Sequence, residues 1–179
     1  IVRAHAGAIR VKSAPDQGTS ITILLPAAES APEPSAPVPG LVGAWRGSGT
    51  LLVVDDEPAI REVASRMLEA IGFDVMTAAG GREALRIYRE RGRDIVGVVL
   101  DLAMPEMDGA EALRELRRID PGVRVFISTG YDDEEIARRI DDPMLAGVLH
   151  KPYDLARLAL HLHRALDPWR GARSGPEPP

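Results

Sequence analysis

Ile95-Val96-Gly97-Val98-Val99-Leu100-Asp101 is the stretch on which the fold turns. It is nearly all apolar, does not alternate, and runs straight into an acid, the pattern of a central strand buried on both faces. Three other runs in the 179-residue chain behave alike. Leu51-Leu52-Val53-Val54 ends at Asp55-Asp56, Val123 to Ile127 ends at Ser128-Thr129, and Val148-Leu149 leads through His150 into Lys151-Pro152. If these runs are parallel strands, three carboxylates, a hydroxyl and an ammonium converge at the carboxyl edge of one sheet. Open α/β sheets hold their ligands at that edge.

The segments between the runs read as helices. Pro58 stands in the first turn of a helix carrying Ile60, Val63, Ala64, Met67, Leu68 and Ile71 on one face, stopped by Gly72. A short strand over 73–77 precedes a helix over 82–91. Asp108 is placed to cap a helix with Ala112, Leu113, Leu116 and Ile119 inward, ended by Pro121-Gly122. A helix near 133–140 has few apolar positions. Asp154 caps the last, with Leu155, Leu158, Leu162 and Leu166 inward. Five strands alternating with five helices over 48–168 imply an α/β, doubly wound, five-stranded parallel sheet with right-handed crossovers.

Outside this span the composition changes. Residues 1–26 hold strand-like alternation, Ala8 to Lys12 and Ser20 to Leu25, joined by a turn at Pro15-Asp16-Gln17-Gly18. A lone hairpin is marginal in water, so it should belong to something larger. Residues 27–47 are a linker rich in Pro, Ala, Ser and Gly, and 169–179 read as a disordered tail, since neither can bury enough apolar area to order itself. The net charge of −5 is unlike a nucleic-acid surface. With no cysteine, disulfides, thiol catalysis and thiolate metal sites are excluded. No apolar run approaches the roughly 20 residues of a membrane span, and residues 1–28 lack a signal-peptide pattern. A cytoplasmic location without membrane contact is expected.

The acids at the strand ends carry the chemistry. Asp55-Asp56 fits either a helix start or half of a charged site, because adjacent carboxylates resist joint ionisation unless a cation offsets them. Asp101 ends a strand that neighbours theirs in a common doubly wound order. Three clustered acids suit a magnesium ion, which takes octahedral oxygen ligands from carboxylates, waters and a phosphate; the carbonyl of Ala103 is placed to add another. At the fourth strand end Ser128 and Thr129 compete for one inward direction. Thr129 is preferred because Gly130 beside it keeps the approach open. Lys151, followed by Pro152, supplies a cation for an anion such as phosphate. His161 and His163 lie two apart on a helix and so on different faces, a poor metal spacing.

The segments Val53-Val54-Asp55-Asp56-Glu57-Pro58, Asp101 to Gly109, Ser128-Thr129-Gly130-Tyr131 and Lys151-Pro152-Tyr153 resemble the receiver domain of two-component response regulators, over residues 50–166 or so. The resemblance implies the flavodoxin-like strand order 2-1-3-4-5. It also implies Asp101 as phosphoacceptor, Asp55, Asp56 and the Ala103 carbonyl around Mg2+, and Thr129 and Lys151 against the phosphoryl group. Where the family often has a switch aromatic, three positions before the lysine, this chain has Val148. Residues 1–26 resemble the tail of a histidine-kinase ATP-binding domain, with His5 not a phosphoacceptor. Together these imply the C-terminal part of a hybrid sensor histidine kinase. Its partners would be a histidine kinase as phosphodonor and a histidine phosphotransfer protein.

Two rivals remain on the residues alone. A magnesium-dependent aspartyl-phosphate phosphatase of the haloacid-dehalogenase kind wants a second acid two residues after the nucleophile, where Ala103 stands. A degenerate receiver would serve only as a docking module.

Overall fold

The computed structural model describes residues 2, 7–15, 18–26 and 45–173. They belong to two compact units, Ile1–Pro37 and Val38–Pro179. In the first, strands β1 (Ala8–Ala14) and β2 (Gly18–Leu24) pair antiparallel, with Ile9 opposite Ile23 and Val11 opposite Ile21. Period-two alternation places these four on one side of the ribbon, where all are exposed. His5, Asp16 and Gln17, and with them half of the expected turn, lie outside the described residues, as do 27–44 of the linker and 174–179 of the tail.

The second unit runs β3 (Thr50–Val54), α1 (Pro58–Ile71), β4 (Asp74–Ala78), α2 (Gly81–Arg91), β5 (Ile95–Asp101), α3 (Gly109–Ile119), β6 (Val125–Thr129), α4 (Asp133–Arg139), β7 (Gly147–His150) and α5 (Leu155–Arg173). All its strand pairs are parallel, in the order β4-β3-β5-β6-β7. Counted within this sheet, that is the 2-1-3-4-5 order. The strand that decides the fold is central, with all of it buried except a half-covered Val96. One face of the sheet packs against α2, α3 and α4 through Leu85, Leu116 and Ile136. The other packs against α1 and α5 through Leu68, Phe126 and Leu162.

Local chemistry sets the helix ends. Pro58 occupies the first turn of α1, and Gly72, at φ 109°, closes it with its N–H on the Leu68 and Glu69 carbonyls. That left-handed conformation disfavours a side chain. The Asp108 carboxylate accepts the Glu111 N–H at 2.7 Å to start α3, and Asp154 accepts the Arg157 N–H at 2.8 Å to start α5.

Several expectations shift. Val63, expected inward, is 52% exposed, and Ile119 is 36% exposed. Both sit at the margin of an apolar stripe whose centre, Ala64-Leu68-Ile71 and Leu113-Leu116, is what the sheet covers. The strand expected at 123–127 runs from Val125 to Thr129, because the ladder begins where Val125 meets Val98. The segment expected to be linker through residue 47 is packed from Trp45 onward: its ring lies 5.9 Å from Phe73 and 5.1 Å from His163, and the Gly47 N–H bonds the Ile71 carbonyl. At the other end, the backbone of α5 stays helical to Arg173, past the expected boundary at 168.

Candidate functional site

Every candidate side chain leaves the sheet at its carboxyl edge. β3 ends at Val54 and releases Asp55 and Asp56; β5 ends in Asp101, β6 in Ser128-Thr129, and Lys151 follows β7. Register then brings the acids together. Val54 pairs with Leu100, so Asp55 and Asp101 emerge side by side. One carboxylate oxygen from each of Asp55, Asp56 and Asp101 lies within 4.8 Å of the others.

Lys151 reaches across the sheet from β7, past β6, to this cluster. Its ammonium donates to Asp55 Oδ2 at 2.7 Å and to Asp101 Oδ1 at 2.8 Å. Asp55 is held further: its Oδ1 accepts the Glu57 N–H at 2.9 Å, and its carbonyl accepts an Arg61 N–H at 2.6 Å. Asp55 and Asp101 are buried, and Asp56 is the least enclosed of the three. Among the described residues, the second oxygen of Asp101 and both oxygens of Asp56 accept no hydrogen bond, so they are free for a ligand. Arg61 escaped the sequence reading; its place one turn into α1, above the acid pair, was the available signal.

Thr129 is fully enclosed. Its hydroxyl accepts the Tyr131 N–H at 3.0 Å, and its carbonyl accepts the Lys151 N–H at 2.7 Å. Ser128, its rival, lies in register with Asp101, and its buried hydroxyl has no hydrogen-bond partner. Ala103 sits exposed in the loop after Asp101. That loop folds back so tightly that the Leu102 carbonyl takes the Gly109 N–H at 3.0 Å, and a side chain at Gly109 would collide with the Asp101 carbonyl. His161 and His163 join no metal-ligating cluster among the described residues; His161 bonds the Arg157 carbonyl instead.

The electrostatics are those of an under-neutralised pocket. Burial pushes the Asp101 carboxyl above the ordinary carboxylate range; the Lys151 hydrogen bond and charge oppose this, while Asp55 and Asp56 add to it. Burial alone would depress the Lys151 ammonium, but its bonds to Asp101 and Asp55 outweigh that and raise it. Three carboxylates thus share one ammonium. The donor set is all oxygen, which suits magnesium. The three carboxylate oxygens lie within 4.8 Å of one another, close enough to be drawn onto one ion.

Comparison with known proteins agrees with this geometry. Residues 51–163 match the response regulator receiver domain family. Sensor kinase CckA of Brucella abortus is 40% identical over 121 residues, covering 68% of this chain but only 13% of that protein. A receiver domain protein from Clostridium thermocellum superposes with a TM-score of 0.64 at 31% identity, covering 69% of this chain and 98% of that one. The receiver domain of the hybrid histidine kinase CckA gives 0.57 at 34% identity, with 66% and 99% covered. Among the described residues no helix is long and apolar enough to cross a membrane.

Proposed function

The chain belongs to the response regulator receiver family, and on that premise we propose that it is a phosphoacceptor module of a phosphorelay, taking a phosphoryl group from a phosphohistidine onto Asp101. The observation that carries this reading is the state of Asp101. Lys151 holds its Oδ1, leaving the other oxygen of a buried carboxylate without a hydrogen bond, beside the Asp55-Asp56 pair. That oxygen attacks phosphorus as the P–N bond to the donor imidazole breaks, and the imidazole nitrogen keeps the electron pair. The product is an acyl phosphate on Asp101.

Receiver domains bind magnesium in general, and here Asp55, Asp56, Asp101 and the Ala103 carbonyl would hold it; when bound, it offsets charge on the phosphoryl oxygens. The chain's own contribution is positioning and electrostatics, the two demands of phosphoryl transfer. Lys151, held on Asp101 Oδ1 and Asp55 Oδ2, keeps a positive charge beside the incoming phosphoryl oxygens, and the Thr129 hydroxyl, oriented by the Tyr131 N–H, has its proton to give to a phosphoryl oxygen. Phosphorylation adds about −1.5 to −2 charge to the pocket.

The donor would approach beside Lys151. Ile60, Val63 and Met67 of α1, with Lys151, Pro152 and Tyr153, line an apolar cleft of about 310 Å³. Exposed Val63 there fits a docked phosphohistidine helix better than a core role. A kinase-derived donor, in the same or a parent chain, and a histidine phosphotransfer protein as acceptor fit this reading. So does a hybrid sensor histidine kinase as the parent, with 48–168 as its receiver, 27–47 as tether and 1–26 as the remnant of its ATP-binding domain. The setting would be cytoplasmic.

Incubation with acetyl phosphate and magnesium tests the assignment by intact mass. Wild type should gain one phosphoryl group and Asp101→Asn none. Equal labelling of the two, or none of either, would remove it.

A further inference from the structure

Arg61 stands beside the acid pocket, half-buried and one turn into α1. Its backbone is fixed from both sides: its N–H donates to the Glu57 carbonyl at 3.1 Å, and its carbonyl accepts the Ser65 hydroxyl at 2.7 Å. A guanidinium carries five donors. Among the described residues this one makes a single hydrogen bond, from Nη1 to the Asp55 carbonyl at 2.6 Å, and no ion pair. The next residue after that carbonyl is Asp56, whose carboxylate is left without a partner. A cation recruited to balance the acid pair would sit on that carboxylate. Arg61 instead holds a neutral oxygen, the one in the peptide that joins the two acids. The consequence falls on Asp56. Asp55 is held at every polar atom: its N–H by the Ala78 carbonyl at 3.2 Å, Oδ1 by the Glu57 N–H at 2.9 Å, Oδ2 by Lys151 at 2.7 Å, and its carbonyl by Arg61. The Asp56 carboxylate is held only through its backbone. The direction in which it leaves the chain decides whether its oxygen stays within 4.8 Å of those of Asp55 and Asp101. Arg61 fixes the peptide that sets this direction, with a charge-assisted bond stronger than a neutral one.

We propose that Arg61 is a positioning residue that makes the acid pocket selective for magnesium over calcium. The inference rests on the magnesium reading given above. Magnesium demands near-octahedral oxygens at about 2.0–2.1 Å and gives up its waters reluctantly, whereas calcium accepts oxygens at about 2.3–2.6 Å in flexible geometry. A ligand set whose third carboxylate can swing suits calcium as well as magnesium. One whose Asp56 is fixed in direction loses that tolerance and favours the smaller ion. Charge alone predicts the reverse, because a guanidinium repels either cation and its removal would tighten both. Water and salt at the half-open edge of the pocket weaken that repulsion, while a hydrogen bond that fixes a peptide keeps its effect on direction. The two roles of Arg61 therefore differ in sign when it is removed.

The melting temperature of the full chain, followed against magnesium chloride and separately against calcium chloride, gives a dissociation constant for each ion. Arg61→Met should weaken magnesium about tenfold, the lower end of what loss of an orienting partner costs a metal site, and calcium by less, so that the ratio of the two constants moves. A role confined to folding would lower the metal-free melting temperature and leave that ratio alone. Arg61→Gln, which keeps an amide donor without the charge, should lie between wild type and Arg61→Met, and is read in its place if Arg61→Met does not melt cooperatively. A folded variant that binds magnesium as wild type does, or more tightly, overturns the proposal, and so does an equal loss of both ions. A wild type that takes up neither ion removes the magnesium reading and this inference with it; wild-type binding with an unmoved ratio in the variants removes this inference alone.

Discussion

Among the described residues, two enclosed ion-pair clusters are built on opposite principles. At the carboxyl edge of the sheet, Lys151 alone serves Asp55 and Asp101, with Asp56 beside them. On the far side of the sheet from α1, the Arg117 guanidinium binds Asp142 at 2.8 Å and donates to the carbonyls of Pro121, Val123 and Met144. Both side chains of that second pair are little exposed, 17% and 14%. Burial raises the Asp142 carboxyl, but the Arg117 bond and the Met144 N–H more than offset it, and its pKa falls. At Asp101 burial wins and the pKa rises. One cluster is complete in the protein alone and locks the end of α3 to the segment before β7. The other is left short of positive charge. A cluster that stabilises a fold saturates its groups; one that awaits a cation and an anion does not.

The largest expected effect falls on the saturated cluster. Arg117→Ala strands a mostly buried carboxylate and three carbonyls, and should cost about 3 kcal/mol, read as a lower midpoint in urea with unchanged slope. The double variant Arg117→Met with Asp142→Leu should recover most of that loss, because no buried charge is left alone. If Arg117→Ala costs less than about 1 kcal/mol, the pair is no more than a surface bridge, and the contrast with the Lys151 cluster collapses.

A smaller effect of opposite sign is expected at the acids. Asp101→Asn removes one of three crowded carboxylates, one whose burial raises its pKa, and should therefore stabilise the metal-free protein. With magnesium the order should reverse. An ion bound only to the native state stabilises by about 2.7 kcal/mol at a hundredfold excess over its Kd, and Asp101→Asn should forfeit much of that. Thermal melts of both proteins with and without magnesium decide it. A variant less stable than wild type without metal would mean that Lys151 already balances the pocket.

How far these clusters were legible in the sequence follows the same divide. The acid pocket could be read because each member stands at the end of an apolar run. Parallel strands bring such ends together whatever the distance along the chain; Asp55 and Lys151 are 96 residues apart and still meet. Helix limits at Pro58, Gly72, Asp108 and Asp154 were equally local. Arg117 and Asp142 carry no such mark. They are two charges 25 residues apart, on a helix and in a loop, and only the packed fold puts one over the other. Trp45 was misplaced for a related reason: its neighbours in sequence are Gly43, Ala44, Arg46 and Gly47, while its partners Phe73 and His163 are far along the chain. Ser128 and Thr129 depended on the strand's register, which begins two residues later than the apolar run does.

The smallest effect, and the most specific, is the pH dependence of each variant relative to wild type. Asp142 has a lowered pKa when folded, so its contribution is present above the unfolded value near 4 and fades as pH falls through the folded value. The loss caused by Asp142→Asn should therefore be largest at neutral pH and shrink on acidification. Asp101 has a raised pKa when folded, so its favourable contribution is complete below about 4 and is lost as pH rises through the folded value. The gain from Asp101→Asn without metal should appear over that rise and vanish in acid, where wild type carries a protonated, neutral carboxyl resembling the amide. Acid brings both differences toward zero from opposite sides, a loss at Asp142 and a gain at Asp101. Urea midpoints measured between about pH 3 and pH 8 distinguish them, and two differences of the same sign at neutral pH would erase the distinction between a saturated and an under-neutralised cluster.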